Sequence, residues 1–125
     1  MIDAYVYSSC SSCRRTEELL NQSGAAFTTR DYFRDGFVVE ELATILDKAR
    51  LDVRDVLSTR SRVFRARANE IDALDDVTLL DLMVEEPTLL RRPLVVGDHG
   101  VVIGHNPKQL EELIASEMAV RSNQA

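Results

Sequence analysis

Cys10 and Cys13 are the only cysteines in the chain, and Ser11 and Ser12 separate them. Thiols at this spacing can carry a dithiol–disulfide couple, supply half of a metal site, or pack as small buried residues. The redox use has a physical basis at the first turn of a helix. There, unpaired backbone N–H groups and the helix dipole stabilise the thiolate of the outer cysteine, Cys10. Cys13, one turn later, is placed to attack a mixed disulfide at Cys10 and resolve it. Arg14 and Arg15 add positive charge beside the pair. A zinc site needs two further donors, and the remaining candidates, His99 and His105, do not match a zinc spacing, so no metal is expected. The flanking serines argue against a purely apolar pocket.

The elements around the pair are legible in the residue pattern. Ile2 to Tyr7 alternates apolar and polar residues and reads as a strand, which Ser8 to Ser12 breaks while offering N-cap hydroxyls. Cys13 to Leu20 reads as a helix closed by Ser23-Gly24, and Ala26 to Phe33 as a second strand. Val38 to Arg50 has helical spacing, Leu51 to Leu57 starts a short helix capped by Asp52, and Ser58 to Asn69 reads as irregular. Leu74 to Glu86 is a further helix, stopped by Pro87. Pro93 to Val96 and Val101 to Gly104 are short strands around a hairpin turn that includes His99, and Pro107 to Arg121 is a closing helix with Ser122 to Ala125 frayed. The order β-α-β, helical insertion, β-β-α, with CxxC after the first strand, predicts an α/β, thioredoxin-like fold.

Arg91-Arg92-Pro93 leads into the third strand. The residues alone favour an ordinary trans proline opening an edge strand. A thioredoxin-like fold instead places a cis proline there, facing the CxxC turn and bringing Arg92 toward Cys10. Arg60, Arg62, Arg65 and Arg67 put four cations into eight residues without an acid, a patch suited to an oxyanion, glutathione carboxylates or an acidic protein surface, or simply solvated. His99 reads as a turn residue, and His105 as a residue beside the site.

Composition bounds these readings. A chain of 125 residues suits one domain that folds without a disulfide scaffold or structural metal. With 15 Lys and Arg against 21 Asp and Glu, the net charge is −6, which excludes a fold-wide basic surface, and no direct nucleic-acid binding is expected. No apolar run approaches the ~18–20 residues that span a bilayer, and the N-terminus lacks the basic start and apolar core of a signal peptide. A cytoplasmic protein without membrane contact is expected.

Cys10-Ser11-Ser12-Cys13-Arg14, Leu57-Ser58-Thr59-Arg60-Ser61, Glu86 to Pro93 and Ile103-Gly104 occur in the order and spacing of the ArsC/Spx family, which the chain resembles from about residue 2 to residue 115. The resemblance implies one thioredoxin-like domain over 1–125, with a redox core at about 1–36 and 88–121 and a helical insertion at about 37–87. It also implies two activities. Arsenate reductases of the family attack arsenate with the cysteine matched by Cys10, using arginines to neutralise the oxyanion, and glutathione and glutaredoxin complete the reduction. Arg92 matches one such arginine, Ser58 and His105 stand at the other two positions, and Arg60 is placed to substitute for the first. Spx proteins instead use the CxxC disulfide to control binding to RNA polymerase, through the C-terminal domain of its α subunit. Asp52 stands where Spx has a polymerase-contacting glycine.

The resemblance therefore implies a thiol-redox protein, arsenate reductase-like in its first reading and a Spx-like regulator in the alternative. Cys10, Cys13 and Arg92 would be catalytic, and Arg60, Arg14, Ser12 and Pro93 would hold a substrate or anion. No bound cofactor is implied; glutathione, glutaredoxin or thioredoxin would be an external reductant. The partners would be a small oxyanion or thiol substrate, a redox protein, or the RNA polymerase α subunit.

Overall fold

The computed structural model describes residues 2–7, 10–98 and 100–124, with the backbone alone for Phe33 and for residues 120–124. The readings at Ser8, Ser9 and His99 fall outside these residues. The chain forms two compact units, one of residues 1–32 and 92–125 and the other of residues 33–91.

The first unit is built on a four-stranded sheet of β1 (Ile2–Val6), β2 (Phe27–Asp31), β3 (Leu94–Val96) and β4 (Val101–Ile103), in the order β2-β1-β3-β4. β1 and β2 are parallel, with Ile2 opposite Phe27, and the helix α1 (Ser11–Ser23) makes the crossover that parallel pairing requires. β3 runs antiparallel to β1 and to β4, with Val95 opposite both Ala4 and Val102. Alternation along β1 sends Ile2, Ala4 and Val6 to one buried face. Leu20 of α1, Val95, Val102 and Leu110, Leu113 and Ile114 of the last helix, α7 (Pro107–Gln124), complete that core.

Local signals terminate these elements. Gly24 ends α1 in the left-handed region at φ +76°, a conformation cheap only for glycine. Asn106 caps α7, its Oδ1 accepting from Gln109 N at 3.1 Å. The β3–β4 turn closes through Gly97 N–H to Gly100 O at 2.8 Å. A Cβ on Gly97 would lie 2.9 Å from Leu113 Cδ1 and closer still to the buried Glu117 carboxylate, which accepts from Asp98 N–H, so glycine there lets α7 dock on the hairpin.

The second unit is helical. After α2 (Tyr32–Asp35), whose first residue belongs to the first unit, it holds α3 (Val39–Ala49), a 3₁₀ turn at Val53–Val56, α4 (Arg62–Ala66), α5 (Ala68–Asp72), α6 (Asp76–Glu85) and a 3₁₀ turn at Pro87–Leu89. Leu42, Ile45 and Leu46 of α3 and Leu79, Leu82 and Met83 of α6 form the buried faces of two helices that pack together.

Several boundaries differ from the sequence expectations. β2 stops at Asp31, and Tyr32 turns into α2. Residues 58–69 are not irregular: the Ser61 side chain accepts from Val63 N and starts α4, and Arg67 links it to α5. α7 does not fray at Ser122 but continues to Gln124. Pro93 follows a cis peptide bond, and its strand is interior rather than an edge, since β3 lies between β1 and β4. No described helix is long and apolar enough to cross a membrane.

Candidate active site

The CxxC pair sits where β1 gives way to α1, and the cap of that helix is the Cys10 sulfur rather than a serine hydroxyl. Cys10 has extended backbone and its Sγ accepts from Cys13 N at 3.4 Å. Cys10 N–H in turn donates to Tyr7 O at 3.0 Å, closing the loop that leaves β1. Sulfur is a weaker hydrogen-bond acceptor than a serine hydroxyl, which fits the 3.4 Å length of this cap.

The two sulfurs have different surroundings. Both thiols are free, with Cys10 half-buried and Cys13 1% exposed among Ile2, Ala4, Val6, Leu20 and Val95. The apolar pocket that the flanking serines argued against thus exists around Cys13, because helical spacing turns Ser11 and Arg14 outward and Cys13 inward. Cys13 Sγ accepts from Tyr7 N at 3.4 Å. Burial pushes the Cys13 thiol from 9.0 up to about 12; the Tyr7 N–H opposes this, the Cys10 sulfur raises it further, and Arg92 pulls it back.

Reduced protein is expected to lose roughly 1.4 kcal/mol of stability per pH unit above about pH 9. The unfolded Cys13 thiol ionises there while the folded one keeps its proton up to about 12. The unfolded chain therefore binds fewer protons, and stability falls as pH rises. Urea unfolding at about pH 8 and about pH 10 checks this, with a shallower loss expected for Cys13→Ala. Equal losses in wild type and Cys13→Ala would refute it.

Arg92 and the buried Pro93 enter from the cis bond before β3. The Arg92 guanidinium carbon lies 5.3 Å from the centroid of the Tyr7 ring, a cation–π contact that holds the cation beside the β1–α1 turn. Tyr32, fully buried at the end of β2, also meets Arg92; burial pushes its phenol up and Arg92 opposes the shift. His105 follows Gly104 after β4, and its Nδ1 lies 2.9 Å from Oγ1 of the buried Thr16 on α1.

Cys10, Cys13, Arg92, Pro93, Ser12 and Arg14 all belong to the first unit, with Ser12 half-buried and the Arg14 side chain exposed. Arg60 and Ser58 belong to the second unit, where Arg60 is exposed in a turn and Ser58 N–H donates to Leu89 O at 2.7 Å. The basic patch is partly neutralised, since Arg67 pairs with Glu70 at 2.7 Å. Asp52 is exposed, its N–H bonded to Asp55 Oδ2 at 2.9 Å. Among the described residues, no group of three His, Cys, Asp or Glu is arranged to hold a metal. Tyr7, Tyr32 and Thr16 were not singled out by sequence. For Thr16 alone a signal existed, its position three residues beyond Cys13 on one helix face.

A family model described as the ArsC family matches residues 5–113. The chain is 38% identical over 109 residues to the regulatory protein MgsR of Bacillus subtilis, covering 87% of this chain and 86% of that one. It is 34% identical over 117 residues to the global transcriptional regulator Spx 1 of Lactococcus lactis, covering 94% and 91%. Among solved structures, the arsenate reductase from Vibrio cholerae superposes with a TM-score of 0.79 at 28% identity, over 90% of this chain and 96% of that one.

Proposed function

The chain belongs to the ArsC family, and from that premise we propose that it is a redox-responsive regulatory protein. Its switch is the Cys10–Cys13 pair, and its partner is the C-terminal domain of the RNA polymerase α subunit. The observation that carries the reading is the seating of Cys13, buried behind a half-exposed Cys10 whose sulfur caps the same helical turn. One thiol meets solvent and the other is held in reserve, as a two-step disulfide switch requires. Similarity to two curated regulators supports the regulatory use.

The chemistry balances with a low-molecular-weight disulfide as oxidant. The Cys10 thiolate attacks one sulfur of the disulfide and expels the other as a thiolate. Cys13 then gives up its proton and attacks Cys10 Sγ, forming the intramolecular disulfide and expelling the second thiolate. Two electrons leave the protein, and a glutathione-, glutaredoxin- or thioredoxin-type reductant returns them. Arg92, held by Tyr7, offers positive charge to the sulfur that is anionic at each stage. A polymerase partner places the protein in the cytoplasm.

The test is capture of that polymerase domain, purified alone, by oxidised and by reduced protein. Binding in one redox state, made state-independent by Cys10→Ala, is expected; absence of binding in both states rejects the reading. Arsenate reduction is the second reading, favoured by the likeness to a solved arsenate reductase and by the Arg92 cation near the thiols. Cys10-dependent turnover of arsenate with glutathione, glutaredoxin and NADPH would assign the site to it.

A further inference from the structure

Tyr7, the residue after β1, touches both cysteines and Arg92. Its carbonyl accepts from Cys10 N–H at 3.0 Å, and its own N–H donates to Cys13 Sγ at 3.4 Å. Its ring lies under the Arg92 guanidinium, whose carbon is 5.3 Å from the ring centroid. One half-buried residue thus ties the CxxC through its main chain and holds a cation at the same turn through its side chain. The cation acts on the sulfurs through space. Arg92 pulls down the Cys13 thiol that burial raises, and the Tyr32 phenol feels Arg92, Cys13 and Cys10 together. All of these residues belong to the first unit.

We propose that Tyr7, by holding Arg92 beside the CxxC, sets the oxidant level at which the Cys10–Cys13 disulfide forms. The inference rests on the thiol–disulfide reading above and gives that switch its threshold. A dithiol can ionise and a disulfide cannot, so a fixed cation near the sulfurs stabilises the reduced pair alone. Closure with glutathione disulfide as oxidant moves two electrons from the protein sulfurs to glutathione. The Cys10–Cys13 bond forms, the glutathione disulfide bond breaks, and two glutathione thiols leave carrying the protons of Cys10 and Cys13. The parked Arg92 opposes this step, and the pair stays reduced until the oxidant ratio rises. Tyr7 is a positioning residue that acts through Arg92. The cation sits over the ring face, which phenylalanine also offers and leucine lacks.

The experiment equilibrates full-length protein in buffers of graded reduced and oxidised glutathione, quenches with acid, alkylates the free thiols and counts disulfide by mass spectrometry. Tyr7→Leu and Arg92→Gln are each expected to shift the exchange constant toward the disulfide by about five- to tenfold. Tyr7→Phe, which keeps the ring face, is expected to stay within about twofold of wild type. Adding Tyr7→Leu to Arg92→Gln is expected to shift the constant no further. A Tyr7→Leu at the wild-type constant, or displaced toward the dithiol, overturns the proposal. So does a Tyr7→Phe displaced as far as Tyr7→Leu, because the hydroxyl and not the ring face would then matter. Equal shifts by Tyr7→Leu with and without Arg92 overturn it as well, since Tyr7 would then act by another route. Should Tyr7→Leu not fold, Arg92→Gln decides, and a wild-type constant there overturns the proposal. A wild type that forms no intramolecular disulfide at any glutathione ratio overturns the disulfide reading itself, and the threshold with it.

Discussion

Cys10→Ser is expected to abolish exchange with a low-molecular-weight disulfide, whereas Cys13→Ser is expected to trap one equivalent of the reagent on the protein. The split follows from position on α1. Cys10 is the N-cap, half-buried and next to solvent, while Cys13 is buried one turn further in. Removal of Cys10 leaves a thiol that is both enclosed by apolar side chains and protonated, so neither access nor thiolate is available for attack. Removal of Cys13 leaves the nucleophile intact and deletes the group that resolves its product. Mass spectrometry after brief exposure to oxidised glutathione reads both outcomes. An adduct on Cys10→Ser at the wild-type rate, or none on Cys13→Ser, would contradict the assignment of roles.

Leu20→Ala is expected to destabilise the protein by about 2–5 kcal/mol, the range for emptying a well-packed leucine site. Leu20 is fully buried on the α1 face that carries Cys13 and Thr16, against β1, β3, β4 and α7. A single domain has only about 5–15 kcal/mol of net stability, so this is a large fraction of the total. The same loss has a functional reading. Docking of α1 encloses Cys13, and each 1.4 kcal/mol multiplies the undocked population about tenfold. Labelling of Cys13 by excess alkylating reagent in the Cys10→Ser background is therefore expected to rise by about 10²-fold in Leu20→Ala. Chemical denaturation gives the stability change independently. A rate unchanged despite lost stability would mean that Cys13 is labelled without undocking of α1.

Much of the fold was legible because its signals are local. Alternation in β1, the Gly24 stop of α1, the Pro87 stop after α6 and the Gly97–Gly100 turn each depend on a few neighbouring residues, and each is present. Reading failed where a local signal was weak or competed with another. Ser58 to Asn69 lacks a long apolar period, so two helices of five residues each, started by the Ser61 cap, were not visible. The trans preference of an ordinary X-Pro bond gave the wrong geometry at Pro93, and the edge-strand reading failed with it, because β1 and β4 flank β3 on both sides.

The sequence by itself determined the pair of thiols, their place at the start of a helix, and the βαβ and ββα order around them. These depend on residue type and short spacing, which a chain displays without folding. Only the tertiary structure decided how far the two thiols differ in burial, that Tyr7 and Tyr32 converge on Arg92, and that His105 meets Thr16. Burial, ring contact and a hydrogen bond across 89 residues are properties of distance in space, and no local pattern encodes them. Residue order gave the two cysteines different tasks; packing on the sheet is what leaves Cys10 half-buried and encloses Cys13.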